Sequence, residues 1–449
     1  MNPVVLDKDI IVSIATPDGS SALGVVRLSG EGSWQIATNA IGSEGKSGFK
    51  ARSAIVATVK DGGGTSLDQV VVLPWKSPNS YTGEDIVEFF CHGGRETLRL
   101  VLQRLVELGA RQAEPGEFTR RAFINGKVDL EQAEAISALI EAKTGSAAKA
   151  ALRVLEGGLG SKIRTIQDQL VHLLSLLELG FDFVEEEIDI LPPDELLKSL
   201  EDVSAKLRDM YKQFQAGKVL RHGARVVIAG APNAGKSTLL NRLIGYDRAI
   251  VSETPGTTRD YLDVTVDMDG IPVHLFDTAG LRATKDSIEG EGAARSQKLI
   301  TDADLVVWLV SPPDLTLPSD KESLPKEKLI VLNKIDRIEN PASVPFGYDL
   351  AVSALEGNNL DKLRRLISEN LLRGYDPSEM VVLEERHAHC LSEALDRTVE
   401  ARESLKQEQG PEVIALQIRT AINDLGEITG TVTTDEILNG IFAGFCIGK

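Results

Sequence analysis

Cysteine is scarce: three in 449 residues, Cys91, Cys390 and Cys446, at spacings that fit neither a zinc framework nor a disulfide framework. A reducing compartment is therefore expected. Aromatic residues make up only 5% of the chain, and no apolar run approaches the roughly 18 residues that a membrane span needs. The N-terminal stretch MNPVVLDKDIIVSIATPDGS lacks a basic segment leading into an apolar core, so neither a secretory nor a transit peptide is read there, and a cytoplasmic protein is expected. Positive charge is also short, with 49 Lys and Arg against 67 Asp and Glu, a net charge of −18. A whole-surface affinity for nucleic acid or anionic lipid is disfavoured, and any RNA contact needs a local basic patch or a partner. The best local cluster is Arg120, Arg121 and Lys127, set against the plainer reading of a solvated helix face. The C-terminal FCIGK is a poor prenylation box, because Gly448 is not aliphatic and Lys449 is not a usual last residue.

What is present is a middle segment in which short β-branched runs alternate with helical stretches. RVVIAG, LDVTVDM, IPVHLF, LVVWLV, LIVLN and DLAVSA read as strands, several apolar throughout, as a sheet covered on both faces requires. A doubly wound, mostly parallel α/β domain is expected over about 223–377. On its N-terminal side, Ile163, Ile166, Leu170, Leu173, Leu174 and Leu177 recur at helical steps, and Pro192-Pro193 followed by Asp194 and Glu195 opens a further helix. The C-terminal flank is helical again. The two flanks, about 126–222 and 378–449, are expected to form one discontinuous helical domain into which the α/β domain is inserted. Residues 1–125 mix DIIVSIAT, LGVVRLSG, SAIVATV and DQVVVLPW strands with the helix RETLRLVLQRLVELG, an α+β domain. The fold class is thus α/β and α, multidomain.

Gly230-Ala-Pro-Asn-Ala-Gly-Lys236-Ser237 fits the phosphate loop G-x-x-x-x-G-K-[ST], between a strand and a helix. In such a loop backbone N–H groups face the phosphates, Lys236 reaches the β and γ oxygens, and the Ser237 hydroxyl ligates Mg²⁺. Asp277-Thr278-Ala279-Gly280 follows the strand IPVHLF, where a Walker-B-type Asp belongs. Asn333-Lys334-Ile335-Asp336 ends LIVLN, and the Asp336 carboxylate suits the paired donors of guanine but not adenine. Ser353 and Ala354 close another strand behind the base. Four motifs in order, each at a strand's C-terminal end, make a Ras-like P-loop GTPase domain with Mg²⁺ and GTP the expected ligands. Leu281 stands where many such enzymes have a water-orienting Gln, so that group must come from elsewhere; Asp286, Glu289 and Glu291 are nearby acids.

GAPNAGKST, TPGTTRD, DTAGL, NKID and FCIGK, together with the N-terminal NSYTGED, CHGG and PGEFTRRAFINGKVDL, resemble the MnmE (TrmE) family of tRNA-modification GTPases over essentially the whole chain. The resemblance implies an N-terminal folate-binding and dimerising domain, a helical domain in two segments, and an inserted G domain. It implies a homodimer with transient contact between G domains, and a heterotetramer with the flavoprotein MnmG, FAD entering only through that partner. It also implies installation of an aminomethyl or carboxymethylaminomethyl group at C5 of the wobble uridine of certain tRNAs, the one-carbon unit coming from a 5-formyl or 5,10-methylene tetrahydrofolate. GTP hydrolysis would be stimulated by K⁺. Residue by residue, the match implies GTP contacts at Asn233, Ala234, Gly235, Lys236, Ser237 and Thr238, at Ser252, Glu253, Thr254, Pro255, Gly256, Thr257 and Thr258, and at the DTAG, NKID and Ser353-Ala354 positions. Ser237 and Thr258 would hold Mg²⁺, and Asn233, Ser252, Thr254 and Thr257 would hold K⁺. Glu289 would orient the water. Arg27, Glu88, Lys127 and Lys449 would bind the folate, and Cys446, beside it, is either a nucleophile or a packing residue. The helical spacing of Ile437, Leu438, Ile441, Phe442 and Phe445 ahead of it turns Cys446 inward. A competing reading is a ribosome-assembly GTPase acting as an RNA-binding switch, although neither flank shows a basic RNA module.

Overall fold

In the computed structural model of the chain, the residues described are 9–42, 49–182, 192–246, 264–277, 298–313, 315, 327–338, 344, 347–376, 381, 384–446 and 448. The chain divides into two units, Met1–Ser137 with Gly426–Lys449, and Ala138–Leu425. The first unit thus takes the last stretch of chain, which the sequence pattern groups with the helical segment 378–449.

The first unit is built on β1 (Ile11–Ile14), β2 (Leu23–Ser29), β3 (Ile55–Lys60), β4 (Ser66–Trp75), β5 (Ile86–His92) and β6 (Arg111–Gln112). They form one sheet in the order β3-β4-β5-β2-β1-β6, antiparallel except for the β1–β6 pair. Period-two alternation sorts its side chains. Val26 and Leu28 of β2, and Val87, Phe89 and Cys91 of β5, are buried against α1 (Ser33–Ile41) and α2 (Arg95–Glu107), while Arg27 and Glu88 fall on the other face and are direct cross-strand partners. Burial of Cys91 pushes its thiol up to about 12, a packed side chain rather than a nucleophile. The strand β5 was not among the runs expected from the pattern; IVEFFCH carries a glutamate amid its apolar residues. Helix α3 (Glu117–Ile124) follows β6, and α4 (Leu130–Glu141) begins in this unit.

The second unit continues with α5 (Gly145–Leu155), α6 (Gly158–Asp182) and α7 (Pro193–His222). The expected stripe on α6 holds: Ile163, Ile166, Leu170 and Leu173 are buried. Pro193 stands in the first turn of α7 with Asp194 and Glu195, favourable to the helix dipole. A second sheet then runs through β7 (Ala224–Gly230), β8 (Val264–Met268), β9 (Ile271–Asp277), β10 (Leu305–Val310), β11 (Lys328–Leu332) and β12 (Leu350–Ala351), with α8 (Lys236–Tyr246) after β7 and α9 (Leu360–Leu372) after β12. Its order is β12-β11-β10-β7-β9-β8, parallel except for the β8–β9 pair, as a Ras-like sheet requires. The central strand β7 is covered on both faces, Val226 and Ile228 in one core and Val227 and Ala229 in the other. Val226, Val227 and Ile228 each contribute about 1.5–3 kcal/mol on burial, and Ala229 less. After α9 come α10 (Glu385–Lys406), α11 (Pro411–Thr429) and, in the first unit, α12 (Asp435–Ala443). The helices on either side of the second sheet in sequence, α7 and α10, lie together: Lys218 Nζ is 2.8 Å from Glu385 Oε1, and Arg221 pairs with Glu384.

Candidate functional site

The loop between β7 and α8 is shaped by two glycines. Gly230 has φ 143° and Gly235 φ 99°, both outside what a side chain accepts readily. A Cβ at Gly230 would press on the Leu309 carbonyl of β10, and one at Gly235 on the Asn333 amide. The loop therefore passes close to its neighbours and returns its N–H groups to the N-terminus of α8, where backbone partial charge is positive. Lys236, buried to 8% exposure, lies back along the loop, its Nζ donating to Gly230 O at 3.0 Å and Ala231 O at 2.8 Å. Ser237 Oγ donates to Asp277 Oδ2 at 2.6 Å, joining α8 to the end of β9.

The other motifs meet the same loop. Asn333 is buried, its Nδ2 donating to Ala234 O at 2.8 Å and its Oδ1 accepting from Ala354 N at 3.0 Å. It braces the phosphate loop against the β12 end. Lys334, at φ 64°, sends Nζ to Asn233 O at 2.6 Å. Asp336 Oδ1 accepts from Ser353 Oγ at 2.6 Å, and its side chain is 12% exposed. The expected residues Asn233, Ala234, Gly235, Lys236, Ser237, Asp277, Asn333, Lys334, Asp336, Ser353 and Ala354 are thus linked through direct hydrogen bonds or adjacency at the C-terminal ends of β7, β9, β11 and β12, with Thr238 exposed in the first turn of α8. Ser252, Glu253, Thr254, Pro255, Gly256, Thr257, Thr258, Thr278, Ala279, Gly280 and Glu289 lie outside the described residues.

A cleft of about 370 Å³ in the first unit is lined by Arg52, Trp75, Ser80, Tyr81, Glu88 and Lys127, among others. At its polar wall Arg27 Nε and Nη2 both lie 2.9 Å from Glu88 Oε1, and Trp75 Nε1 donates to Glu88 Oε2 at 3.1 Å. The guanidinium of Arg27 also stacks 5.3 Å from the Tyr81 ring centre and 5.7 Å from that of Phe118. Burial raises the Tyr81 hydroxyl above the ordinary phenol value against the lowering effect of its hydrogen bond with Thr119, which keeps the phenol neutral. Lys127 Nζ donates to Pro78 O at 3.0 Å. Of the four expected folate contacts, Arg27, Glu88 and Lys127 belong to this region, and Lys449 lies outside the described residues. Sequence reasoning missed Trp75 and Tyr81, which line the cleft, and the buried Phe118 ring beside Arg27; the quoted stretches NSYTGED and PGEFTRRAF contain two of them, but nothing in a one-dimensional pattern shows that they gather around Arg27 and Glu88.

Two expectations need correction. Arg121 is neither an RNA contact nor a solvated residue. At 1% exposure it is enclosed by Asp9, Glu84 and Glu117, whose oxygens accept from its two Nη atoms and so offset the cost of burying the charge, while its Nε has no hydrogen-bond partner among the described residues. Cys446, read as turning into the interior, is exposed. Phe442 and Phe445 of the preceding apolar stretch are buried with Leu130, and Gly448, at φ 100°, brings the tail's backbone against the Ile14 carbonyl. The packing is therefore supplied by the phenylalanines and the glycine.

Among the described residues no helix is long and apolar enough to cross a membrane, and no group of three or more His, Cys, Asp or Glu could hold a metal ion. Comparison with known proteins matches a family model for the MnmE helical domain to residues 130–446 and one for the GTP-binding protein TrmE N-terminus to residues 10–127. The protein called tRNA modification GTPase MnmE in Salinibacter ruber is 39% identical over 98% of this chain and 99% of its own length. Its counterpart in Dechloromonas aromatica is 41% identical over 99% of this chain and 100% of its own, and that in Aquifex aeolicus 38% over 98% and 100%. Full-length likeness at this identity, with both family models in register, shows that this chain belongs to the MnmE (TrmE) family.

Proposed function

We propose that this chain is a K⁺-stimulated GTP hydrolase of tRNA modification, which with MnmG and a tetrahydrofolate one-carbon donor installs an aminomethyl or carboxymethylaminomethyl group at C5 of wobble uridines. The observation that carries the GTPase reading is the Asp336–Ser353 pair at the mouth of a phosphate loop. One carboxylate oxygen is held by Ser353, which orients the group, and the remaining lone pairs suit N1–H and N2–H₂ of guanine. Asn333 and Lys334 tie the base side of the site to the loop, which supports one hydrogen-bonded set serving both base and phosphates.

The residues present fit Mg²⁺. The Ser237 hydroxyl and Asp277 carboxylate, 2.6 Å apart, are the hard oxygen donors that this ion prefers, and Thr258 would complete the set. Bound there, Mg²⁺ neutralises charge on the β and γ phosphates. Lys236 and the loop N–H groups bind the same oxygens, and Glu289 orients the water that attacks the γ phosphorus as the bond to the β-phosphate oxygen breaks. The exposed Asn233 amide oxygen suits a hard monovalent cation, with Ser252, Thr254 and Thr257 as the further ligands, and K⁺ there would supply the positive charge that an arginine supplies in other GTPases.

In the cleft, Glu88 has acceptor capacity beyond its contacts with Arg27 and Trp75, which suits the amide and amino group of a pterin, and Trp75 and Tyr81 offer ring faces. Lys127 and Lys449 would serve the glutamate tail, with Cys446 nearby. The division proposed is 1–125 for folate binding and dimerisation, 126–222 with 378–449 as the helical domain, and 223–377 as the G domain. The working assembly is a homodimer through the first domain, joined by MnmG and acting on tRNA in the cytoplasm. Nucleoside analysis of tRNA from a strain lacking the protein tests the reading: loss of the wobble-uridine modification is expected, and unchanged modification with defective ribosome assembly would favour an RNA-binding switch.

A further inference from the structure

Arg121 was not called for by any nucleotide or folate role, yet it is the largest fully buried side chain of the described residues and carries a charge. Its Nη2 donates to Asp9 Oδ1 at 2.7 Å and Glu117 Oε1 at 2.9 Å, and its Nη1 to Asp9 O at 2.9 Å and to both carboxylate oxygens of Glu84 at 3.3 Å. Asp9 and Glu117 are in turn held by Arg111. Glu84 is the end of the segment 78–84, which supplies Asn79, Ser80 and Tyr81 to the cleft wall.

The same helix and the turn after it grip that segment at three more points. The Tyr81 and Thr119 hydroxyls are 2.8 Å apart, Asn125 Nδ2 donates to Thr82 O at 2.7 Å, and Lys127 Nζ donates to Pro78 O at 3.0 Å. Gly83, at φ 80°, passes so close that a Cβ there would lie 3.1 Å from that of Asn125. Inside the segment, Ser80 Oγ donates to Glu84 O at 2.5 Å, and from β2 Ser29 Oγ donates to Glu84 Oε2 at 2.7 Å. A seven-residue loop without helix or strand has few ways to hold one shape by itself. Here side chains of one helix and its C-terminal turn hold it, and a guanidinium, whose planar fork reaches several acceptors at once, is the centre of the arrangement.

We propose that Thr119, Arg121 and Asn125 form a latch that sets the cleft wall 78–84, making Arg121 a positioning residue for whatever the cleft binds. Lys127 then has a structural duty at Pro78 in addition to any ligand contact. The identity of the ligand rests on the folate reading; the latch does not.

The test uses the full chain with Trp34→Phe and Trp308→Phe, leaving Trp75 in the cleft as the reporter, and 5-formyltetrahydrofolate as the probe. Thr119→Val and Asn125→Ala each remove one hydrogen bond and are expected to weaken the probe by roughly two- to tenfold. Arg121→Lys keeps the charge but not the fork and is expected to weaken it by more than tenfold. In all three, Trp75 emission should shift to the red and become easier to quench with iodide, while GTP hydrolysis stays at the parent rate. A role in stability alone would lower the unfolding midpoint and leave both probe affinity and Trp75 quenching of the folded protein unchanged; that result overturns the latch. Should Arg121→Lys not fold, the two single-bond variants decide the matter on the same readouts. If the parent binds no 5-formyltetrahydrofolate, the folate reading fails, and Trp75 quenching alone judges the latch, supporting it if the variants are more quenched and refuting it if they are not.

Discussion

Replacing Asp336 by Asn should turn the base preference of this protein from guanine to xanthine. Ser353 Oγ lies 2.6 Å from Asp336 Oδ1 and donates to it. In the Asn variant that hydroxyl still needs an acceptor, so the amide oxygen takes the Ser353 side and the NH₂ group is turned to the base. Guanine then meets donor against donor at N1 and N2, whereas xanthine offers a carbonyl where guanine has its amino group. Hydrogen bonds to a charged group are worth about 1.5–3 kcal/mol each, so losing two costs ~3–6 kcal/mol. At 1.4 kcal/mol per decade this is on the order of 10²- to 10⁴-fold in GTP affinity. The side chain is 12% exposed, which limits how far water can compensate. Displacement of a fluorescent guanine nucleotide by GTP and XTP, in the parent and in Asp336→Asn, reads both affinities. A GTP affinity within threefold of the parent would refute the assignment of Asp336 to the base. The further variant Ser353→Ala in the Asn background frees the amide to flip and should recover part of the GTP affinity.

GTP hydrolysis should be several-fold faster in K⁺ than in Na⁺ at equal ionic strength; equal rates would remove the cation role given to Asn233. Glu289→Ala should bind GTP normally and lose most turnover, so a parental kcat would return Glu289 to a solvated acidic face. Gly235→Ala places a Cβ at φ 99° against Asn333, a left-handed strain of about 1–2 kcal/mol before any clash, and nucleotide titration should show binding lost while the first unit's Trp34 and Trp75 unfold as before. Arg111 hydrogen bonds hold Asp9 below its ordinary 3.8; burial raises Glu117, but Arg111, the Glu114 N–H and Arg121 outweigh it and hold that group below 4.5. Carboxylates depressed in the folded state add stability that is present above the unfolded values and lost as pH falls through the folded ones. Urea unfolding of the first unit should therefore weaken below about pH 4.5, and Asp9→Asn should flatten that slope; a slope unchanged by the substitution would discount the network.

The placement of the nucleotide motifs was legible because each of them is local. A phosphate loop is one turn between one strand and one helix, and the residues that shape it are adjacent in sequence, so GAPNAGKST, DTAGL, NKID and the strand pattern around them place a Ras-like domain without coordinates. The cleft of the first unit is of another kind. Arg27 and Glu88 stand 61 residues apart and meet because β2 and β5 are neighbours in the sheet, which no local pattern states. Resemblance to a family named both residues, but not the Trp75 donor or the Tyr81 and Phe118 rings around them.

The limits of pattern show most clearly at Arg121 and Cys446. A basic pair on an amphipathic helix reads as solvent or phosphate contact, since a buried charge is costly; whether that cost is met depends on Asp9, Glu84 and Glu117 arriving from elsewhere in the chain. Helical spacing of apolar residues before the tail shows that a face is buried, yet it does not say which tail residues share that burial, and here Phe445 and Gly448 are buried while Cys446 is exposed. The sequence by itself determined most of the elements, though not β5, together with the nucleotide motifs and the family, because those depend largely on neighbours along the chain. Only the tertiary structure decided which charges are enclosed, which side chains bond to the 78–84 loop and which cysteine meets water, because those depend on neighbours in space.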